Sequence, residues 1–172
     1  MKSLKNLFTS ASLALALLFS VNANAVLITQ DIFADGVLFG EVAYEVSNSA
    51  LNSGEILDSA FDGQPTFAGI SFFGFDTGLL FSFEAILDTS NVEAGLEFLA
   101  FDVLDDDLTS PFIYQLFVDS VFGFGFLDIF DTNNNFVFFS SDVSLGDVQV
   151  SEPGMAVFLV MLLAGVFAVR RK

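Results

Sequence analysis

The basic residues of this chain lie only at its two ends, and this placement constrains the fold more than any other feature. They are Lys2, Lys5, Arg170, Arg171 and Lys172. The stretch from Val26 to Val150 has no Lys or Arg, yet it holds 21 of the 22 acidic residues. A domain built from it has a formal charge of −21 and no ion pair between side chains. Apolar burial and backbone hydrogen bonds must therefore hold it together.

The missing residue types exclude several classes of function. The chain has no His and no Cys, so it cannot build a Ser-His-Asp triad, a Cys-His pair or a zinc site of thiolates and imidazoles. Its acidic balance argues against nucleic acid as a partner, because phosphate binding needs Lys and Arg. A hydrophobic fraction of 53% is too high for an acidic disordered chain, which indicates a folded domain.

The N-terminal segment has the pattern of a secretory signal. A short basic stretch is followed by an apolar run from Leu7 to Val21. Ala23 and Ala25 then supply the small side chains that signal peptidase requires. We predict a signal peptide over residues 1–25, used by the Sec translocon and removed after Ala25.

The C-terminal segment combines a short motif, an apolar run and a basic tail. The motif is Ser151, Glu152, Pro153 and Gly154. The run from Met155 to Val169 predicts a transmembrane helix of roughly 22 Å, at about 1.5 Å per residue, against a hydrocarbon core of about 30 Å. The tail 170–172 would stay in the cytoplasm and leave the middle of the chain outside. A plain tail anchor is the alternative.

This tail, over residues 151–172, resembles the PEP-CTERM sorting signal of exosortase-dependent Gram-negative bacteria. Glu152 and Pro153 match the more constant pair of that signal, while Ser151 stands where Pro is most common. The resemblance implies that an exosortase recognises the motif after transient insertion in the inner membrane. It also implies a place at the cell surface or in the extracellular matrix, with exopolysaccharide or other biofilm components as partners.

The middle of the chain, residues 26–150, alternates apolar and polar residues with the period of β-strands. The apolar positions of two such runs are Leu38, Val42, Tyr44 and Val46, and Leu79, Phe81, Phe83, Ala85 and Leu87. Three later runs, 98–104, 112–118 and 121–130, are apolar on both faces, which predicts central strands covered on each side. We predict an all-β fold, a single antiparallel β-sandwich or jelly roll of about eight strands.

Phenylalanine dominates this middle region, which contains 20 of the 24 in the chain. The simplest prediction is that they form the core, since Phe fits a pleated surface and buries a large area. The alternatives are a platform that stacks on carbohydrate or a face for self-association. Sugar platforms favour Trp and Tyr, and the chain has no Trp and only Tyr44 and Tyr114.

Two acidic loops contain candidate ligands for calcium. They are Asp105, Asp106 and Asp107 in one loop, and Asp131 and Asn133 in the other. Adjacent carboxylates repel one another, and Ca²⁺ would relieve that repulsion. A solvated acidic loop is the alternative for the first cluster. The second lacks the Gly that an EF-hand needs at its sixth position, where Phe136 stands, so a hairpin turn is the better prediction there.

We predict an exported, non-enzymatic surface or matrix protein. A carbohydrate-binding module, with or without Ca²⁺, is the alternative, and exposed aromatic residues beside the loop at 105–107 would favour it. A small glycoside hydrolase would need two carboxylates roughly 5–10 Å apart across a cleft, and nothing in the sequence selects such a pair.

Overall fold

Ten β-strands make up nearly all of the regular structure. The computed structural model describes residues Ala25 to Ser151. The strands are β1 (Ala25–Ala34), β2 (Val37–Ser47), β3 (Ile56–Asp58), β4 (Thr66–Phe72), β5 (Phe75–Asp88), β6 (Leu96–Asp105), β7 (Phe112–Asp119), β8 (Phe124–Asp131), β9 (Phe136–Ser140) and β10 (Val143–Ser151). Helix α1 (Asn48–Leu51) and the 3-10 turn η1 (Val92–Ala94) are short. The all-β prediction is confirmed.

The predicted signal-peptide helix and the C-terminal helix both lie outside the described residues. Within the described range, no helix has the length and hydropathy needed to cross a membrane. Leu27–Ser151 forms one compact unit by its internal contacts.

The strands form one antiparallel sheet in the order β10-β1-β2-β4-β5-β6-β7-β8-β9, with β3 paired to β5. From β4 to β9 each strand lies beside its neighbour in sequence, so the chain follows a meander. β5 links two halves of the sheet, because Phe75 and Asp76 pair with β4 while Thr77–Leu87 pair with β6. The order over Ala25–Ser151 differs from the crossing connections of a jelly roll.

The two ends of the strand order approach each other near the β1–β2 turn. The backbone N–H of Asp35 in that turn donates to the carbonyl of Asp142 at 2.8 Å, and Ser140 Oγ donates to Asp35 Oδ1 at 2.9 Å. Gly125 of β8 forms a single bridge with Asp142. The sheet therefore curls until β8, β9 and the start of β10 come together.

The core lies between the two halves of the curled sheet. Phe72 of β4 stacks on Tyr114 of β7 with 4.2 Å between ring centroids, and Phe39 of β2 stacks on Phe138 of β9 at 6.0 Å. Aliphatic side chains fill most of the remaining space, and the largest fully buried ones are Ile28, Ile32, Leu87, Leu96, Leu99 and Leu127. Their burial is the main source of stability, since this region has no ion pairs to draw on.

One buried amide joins three parts of the sheet. Gln30 of β1 is 2% exposed. Its Nε2 donates to the carbonyl of Gly146 at 2.9 Å, and its Oε1 accepts the N–H of Leu96 at 3.1 Å. A buried polar side chain is tolerated where both of its ends are bonded, so Gln30 fixes β1 against β10 and the start of β6.

The predicted inward-facing positions of β2 and β5 are correct for only part of each strand. Val42, Tyr44 and Val46 are fully buried, but Leu38 is 55% exposed and Phe39 takes the inward place. The inward phase changes at Gly40, where an added Cβ would meet the Ser71 carbonyl and the Phe72 ring. The prediction for Leu38 is wrong because it assumes strict alternation along the whole strand, and an irregularity of this kind reverses which side chains point inward.

The same limit applies to β5. Ala85 and Leu87 are fully buried, whereas Leu79 and Phe81 are exposed. The pairing of β5 with β6 slips between Thr77 and Leu79 and again between Leu80 and Ser82. Each slip is a bulge that turns the following side chains, so the apolar alternation of β5 marks the core only in its second half.

The prediction that phenylalanine forms the core is wrong for most of the 20 phenylalanines in the middle region. Three of them are buried, namely Phe39, Phe72 and Phe101. Eight are exposed, namely Phe61, Phe73, Phe75, Phe81, Phe122, Phe124, Phe136 and Phe139. The other nine are half-buried, so few of these phenylalanines belong to the fully buried core.

Candidate functional site

The outer face of β6, β7 and β8, which points away from the core, contains a cluster of four aromatic rings. We call Phe98, Phe117, Phe124 and Phe126 the outer aromatic cluster. Phe117 lies at its centre, with ring centroids 5.1 Å from Phe98, 5.5 Å from Phe126 and 5.9 Å from Phe124. The prediction of strands covered on both faces is wrong for β8, where Phe124 remains 54% exposed among the described residues.

A steric constraint explains why the rings of β8 point outward. Gly125, Leu127 and Ile129 occupy the inward positions and are buried. A Cβ added at Gly125 would collide with the backbone carbonyl of Val143, the first residue of β10. The inner face of β8 thus has no room for a large side chain at this point, and its aromatic positions are left for the outside.

A groove lies further along the same outer face. It has a volume of about 320 Å³ and is lined by Phe81, Asp102, Ile113, Gln115, Phe130 and Asn134. Phe81 is the residue left unpaired where Leu80 pairs with Val103 and Ser82 with Asp102. A bulge of this kind redirects a side chain, and here it directs the Phe81 ring to the groove.

The polar side of the groove rests on one carboxylate and one amide from paired positions. Asp102 of β6 and Gln115 of β7 are register partners. Gln115 Nε2 donates to Asp102 Oδ2 at 3.0 Å. Asp102 Oδ1 is buried and has no hydrogen-bond partner. Leaving a buried acceptor unbonded costs about 1–3 kcal/mol, so this oxygen is a place where a donor from outside the chain would be stabilising.

A larger depression, of about 410 Å³, lies over β2 and β4. Small residues and the carboxylates of Glu41 and Asp76 line much of it. The hydroxyl of Thr77 in its wall is already engaged, donating to the Ile70 carbonyl at 2.9 Å and accepting the Ile70 N–H at 3.0 Å. The depression has one aromatic ring in its lining, that of Phe67, whereas the outer groove has two, those of Phe81 and Phe130.

The structure does not bring the three carboxylates of the loop at 105–107 together. Asp105 is 4% exposed, and its carboxylate accepts from Tyr114 Oη at 3.1 Å and from the N–H groups of Asp107 and Phe112 at 3.2 Å. Burial, followed by the charge of Asp105, raises the pKa of the Tyr114 hydroxyl, which therefore stays a donor. Asp105 acts as a structural acceptor that closes the loop.

The two neighbours of Asp105 use their carboxylates elsewhere. Asp106 Oδ1 accepts the N–H of Asp76 at 3.0 Å. Asp107 Oδ1 accepts the N–H and hydroxyl of Thr109 at 2.8 and 2.7 Å, and these bonds lower the pKa of Asp107. Across the described residues, no three acidic side chains converge as metal ligands would. Calcium binding at this loop stays a prediction, and the side chains of the loop do not form a converging set of ligands that would support it.

The second predicted loop forms the hairpin turn between β8 and β9. Asp131 Oδ1 accepts the N–H groups of Asn133 and Asn135 at 2.8 Å, and its Oδ2 accepts Asn135 Nδ2 at 2.8 Å. These bonds, that of the Asn135 side chain first, lower the pKa of Asp131. Asn134 takes a positive φ of 62°, as Asn does in tight turns. The turn prediction is confirmed, and it places Asn134 on the rim of the groove.

The predicted sorting and cleavage residues lie mostly outside the described range. Ala23, Glu152, Pro153, Gly154, Arg170, Arg171 and Lys172 all do so. Ala25 is the first residue of β1 and Ser151 the last residue of β10. Leu27 is the register partner of Ser151, so the two ends of the domain lie side by side.

Sequence reasoning missed the outer groove because its residues come from β5, β6, β7, β8 and the turn after β8. One signal was present: Asp102 and Gln115 interrupt strands that are otherwise apolar on both faces.

Comparison with known protein families, with curated proteins and with solved structures gives no match.

Proposed function

We propose that this chain is an exported, non-enzymatic protein of the cell surface or extracellular matrix. In this proposal a signal peptide exports it, and an exosortase processes its C-terminal tail. The domain between these segments would then remain outside the cell, where its outward-facing phenylalanines meet matrix components.

The observation that carries this proposal is the pairing of β1 with β10. β1 begins at Ala25, next to the predicted signal-peptide cleavage, and β10 ends at Ser151, where the predicted sorting motif starts. The folded domain thus fits the interval between the two predicted signals. Because Leu27 lies opposite Ser151, both signals would leave the domain from the same edge, as expected if they address the same membrane.

The surface of the domain supports a role in adhesion. Adjacent apolar side chains that reach the surface often mark a site of interaction, whereas single exposed ones are common. The rings of the outer aromatic cluster are adjacent in this way. The acidic charge of Val26–Val150 keeps copies apart in solution. Such a domain can stay soluble during export and still offer an apolar face to a polymer.

The groove supports binding over hydrolysis. Asp102 is the one carboxylate among the groove-lining residues of the described chain. Its Oδ2 accepts a hydrogen bond from Gln115, and hydrolysis of a glycosidic bond uses a pair of carboxylic groups that flank the bond. The outer groove can hold a sugar more readily than it can cleave one.

The packing supports a finer description of the fold. The half containing β1, β2 and β4 faces the half containing β6 to β9 through contacts such as Phe72 on Tyr114. Two antiparallel layers with a shared core are the arrangement of a β-sandwich. We infer a sandwich with meander connections, bent at β5.

Mass spectrometry of secreted material tests the proposal. We expect Val26 at the N-terminus and loss of Met155–Lys172 in a host that has its exosortase. Deletion of the exosortase should leave the tail on the protein and hold it in the membrane fraction. Recovery of the intact C-terminal segment on secreted protein from the complete host would contradict the sorting role.

Carbohydrate binding is the second candidate function, and the exposed phenylalanines favour it. Phe75 is 41% exposed and neighbours Asp76, whose N–H is bonded to Asp106 in the acidic loop. Both tyrosines, in contrast, are buried, so any stacking on sugar must use Phe.

A further inference from the structure

We propose that the groove formed by Phe81, Asp102, Ile113, Gln115, Phe130 and Asn134 is a binding subsite for a short segment of an uncharged polysaccharide. Its volume of about 320 Å³ falls at the lower end of the range for small-ligand sites, about 300–1,000 Å³. A few sugar units of a longer chain would occupy it, with the rest of the polymer lying across the outer face.

The apolar contacts come from two rings on opposite sides of the polar residues. Phe81 projects from the bulge of β5 and is 55% exposed. Phe130 is half-buried and is held by an edge contact with Phe136, at 5.9 Å between ring centroids. The C–H face of a sugar ring stacks on such surfaces. Phe has no polar handle of its own, so the hydrogen bonds that orient a sugar must come from neighbouring side chains.

Those neighbours present both acceptors and donors to the groove. The bond from Gln115 Nε2 to Asp102 orients the amide, which leaves Gln115 Oε1 free as an acceptor. Asp102 Oδ1 is buried and lacks a donor, so a ligand reaches it once a side chain of the groove moves aside. A sugar hydroxyl supplies the missing donor and can accept from the Asn134 amide in return. A ligand carboxylate could only accept, and would leave Asp102 unsatisfied.

The charge of the domain selects among polysaccharides. Between Val26 and Val150 there is no cationic side chain to pair with an anionic polymer, and the formal charge is −21. Like charges repel an anionic chain during approach and in the complex. The same repulsion opposes a second copy of this domain in the groove. An uncharged glycan is the ligand class that this negative charge does not repel.

This subsite rests on the proposed carbohydrate-binding role, but it can be tested apart from export. We suggest electrophoresis of the full chain, solubilised in a zwitterionic detergent without sugar groups, through native gels that contain one polysaccharide each. Dextran, galactomannan and hydroxyethylcellulose serve as uncharged probes, and alginate serves as the anionic probe. The strong negative charge of the chain drives its migration, so retardation reports binding directly.

We expect retardation by at least one uncharged polymer and weaker retardation by alginate. Phe81→Ala should weaken the apparent affinity about tenfold, the loss of one stacked ring. Asn134→Gly should weaken it by a smaller factor without backbone strain, because Gly accepts the positive φ of that position. Phe122→Ala is the matched control, since Phe122 is 84% exposed in the β7–β8 turn and does not line the groove; it should bind like the parent chain.

Four results would overturn the subsite. They are mobility unaffected by every uncharged probe, equal or stronger retardation by alginate, equal losses in Phe81→Ala and Phe122→Ala, and concentration-dependent mobility in polymer-free gels that Phe81→Ala abolishes. The last would assign the groove to a second copy. None of them bears on processing of the tail, which the mass spectrometry of secreted protein decides on its own.

Discussion

The inner and outer faces of β6, β7 and β8 are both apolar, yet they use different residues. Leu99, Leu116 and Leu127 represent the inner face and are at most 3% exposed. Phe98, Phe117 and Phe126 represent the outer face and are half-buried against one another. Aliphatic chains predominate where the two halves of the sheet meet, although Phe101 and Tyr114 also point inward. Most of the aromatic rings of these three strands lie on the outer face.

This difference predicts that stability and binding depend on opposite faces of one layer of sheet. The inner face supplies the burial that offsets the loss of conformational entropy on folding. The outer face adds less to stability, because its rings keep part of their surface in water. We therefore expect substitutions inside to act on stability and substitutions outside to act on binding. Four predictions test the part of this division that concerns stability.

The largest effect on stability should be seen when substitutions of two neighbouring residues, on opposite faces of β7, are compared. Leu116→Ala empties a buried site and should cost about 2–5 kcal/mol. Phe117→Ala removes a larger side chain, but one that is only half-buried, and should cost about 1–2 kcal/mol. Urea unfolding of both variants measures the two costs. Equal costs would mean that the outer face is as well covered as the core.

Two carboxylates of the loop at 105–107, one buried and one in an exposed turn, should likewise differ in their contribution to stability. Asp105→Ala removes a buried acceptor of three hydrogen bonds and should cost about 2–3 kcal/mol, since each unpaired buried donor is penalised. Asp107→Ala, the control from the same loop, loses bonds only within an exposed turn and should cost well under 1 kcal/mol. Thermal melts with and without millimolar Ca²⁺ complete this comparison. A rise in melting temperature with Ca²⁺ that Asp107→Ala removes would establish the predicted cation site.

The buried amide of β1 should have an intermediate effect. Gln30→Met keeps the length of the side chain but leaves the Leu96 N–H and the Gly146 carbonyl without their partner. We expect a loss of about 1–2 kcal/mol. Hydrogen exchange should show the Leu96 amide becoming less protected than amides at the centre of β7. An unchanged Leu96 amide would mean that Gln30 serves packing alone.

The smallest effect should be the acid response of the β8–β9 turn. Its hydrogen bonds hold the folded pKa of Asp131 below the ordinary value of 3.8. A lowered pKa adds stability above the unfolded value, and that stability is lost as the pH falls through the folded pKa. The difference in melting temperature between the parent chain and Asp131→Asn should therefore be present at pH 6 and shrink below about pH 4. A difference that grows on acidification would contradict this assignment.

The sequence alone predicts the class of fold and some of its turns, because these depend on local signals. The hairpin at Asp131–Asn135 follows from its run of turn residues, and the inward positions of Val42, Tyr44 and Val46 follow from alternation. The orientation of strands that are apolar on both faces does not follow, because either face could point inward. What decides it in β8 is the close approach of Val143 to Gly125, a contact between residues far apart in sequence.

The groove was beyond prediction for a related reason. The ring of Phe81 reaches it through a slip in strand pairing, and Asn134 reaches it through a turn with positive φ. Neither the slip nor the register that sets Asp102 opposite Gln115 is written in any single segment. The folded unit, Leu27–Ser151, coincides to within one residue at each end with the stretch Val26–Val150 that lacks Lys and Arg.

The pairing of Leu27 with Ser151 also has a mechanical consequence. Force applied between the first residue of β1 and the last residue of β10 pulls these two strands apart from the same end. Antiparallel hydrogen bonds run across the strands, so they would break one after another, as a zipper opens, and never share the load. The resistance of the domain to such a force would therefore be set by a few hydrogen bonds at a time along the β1–β10 pair.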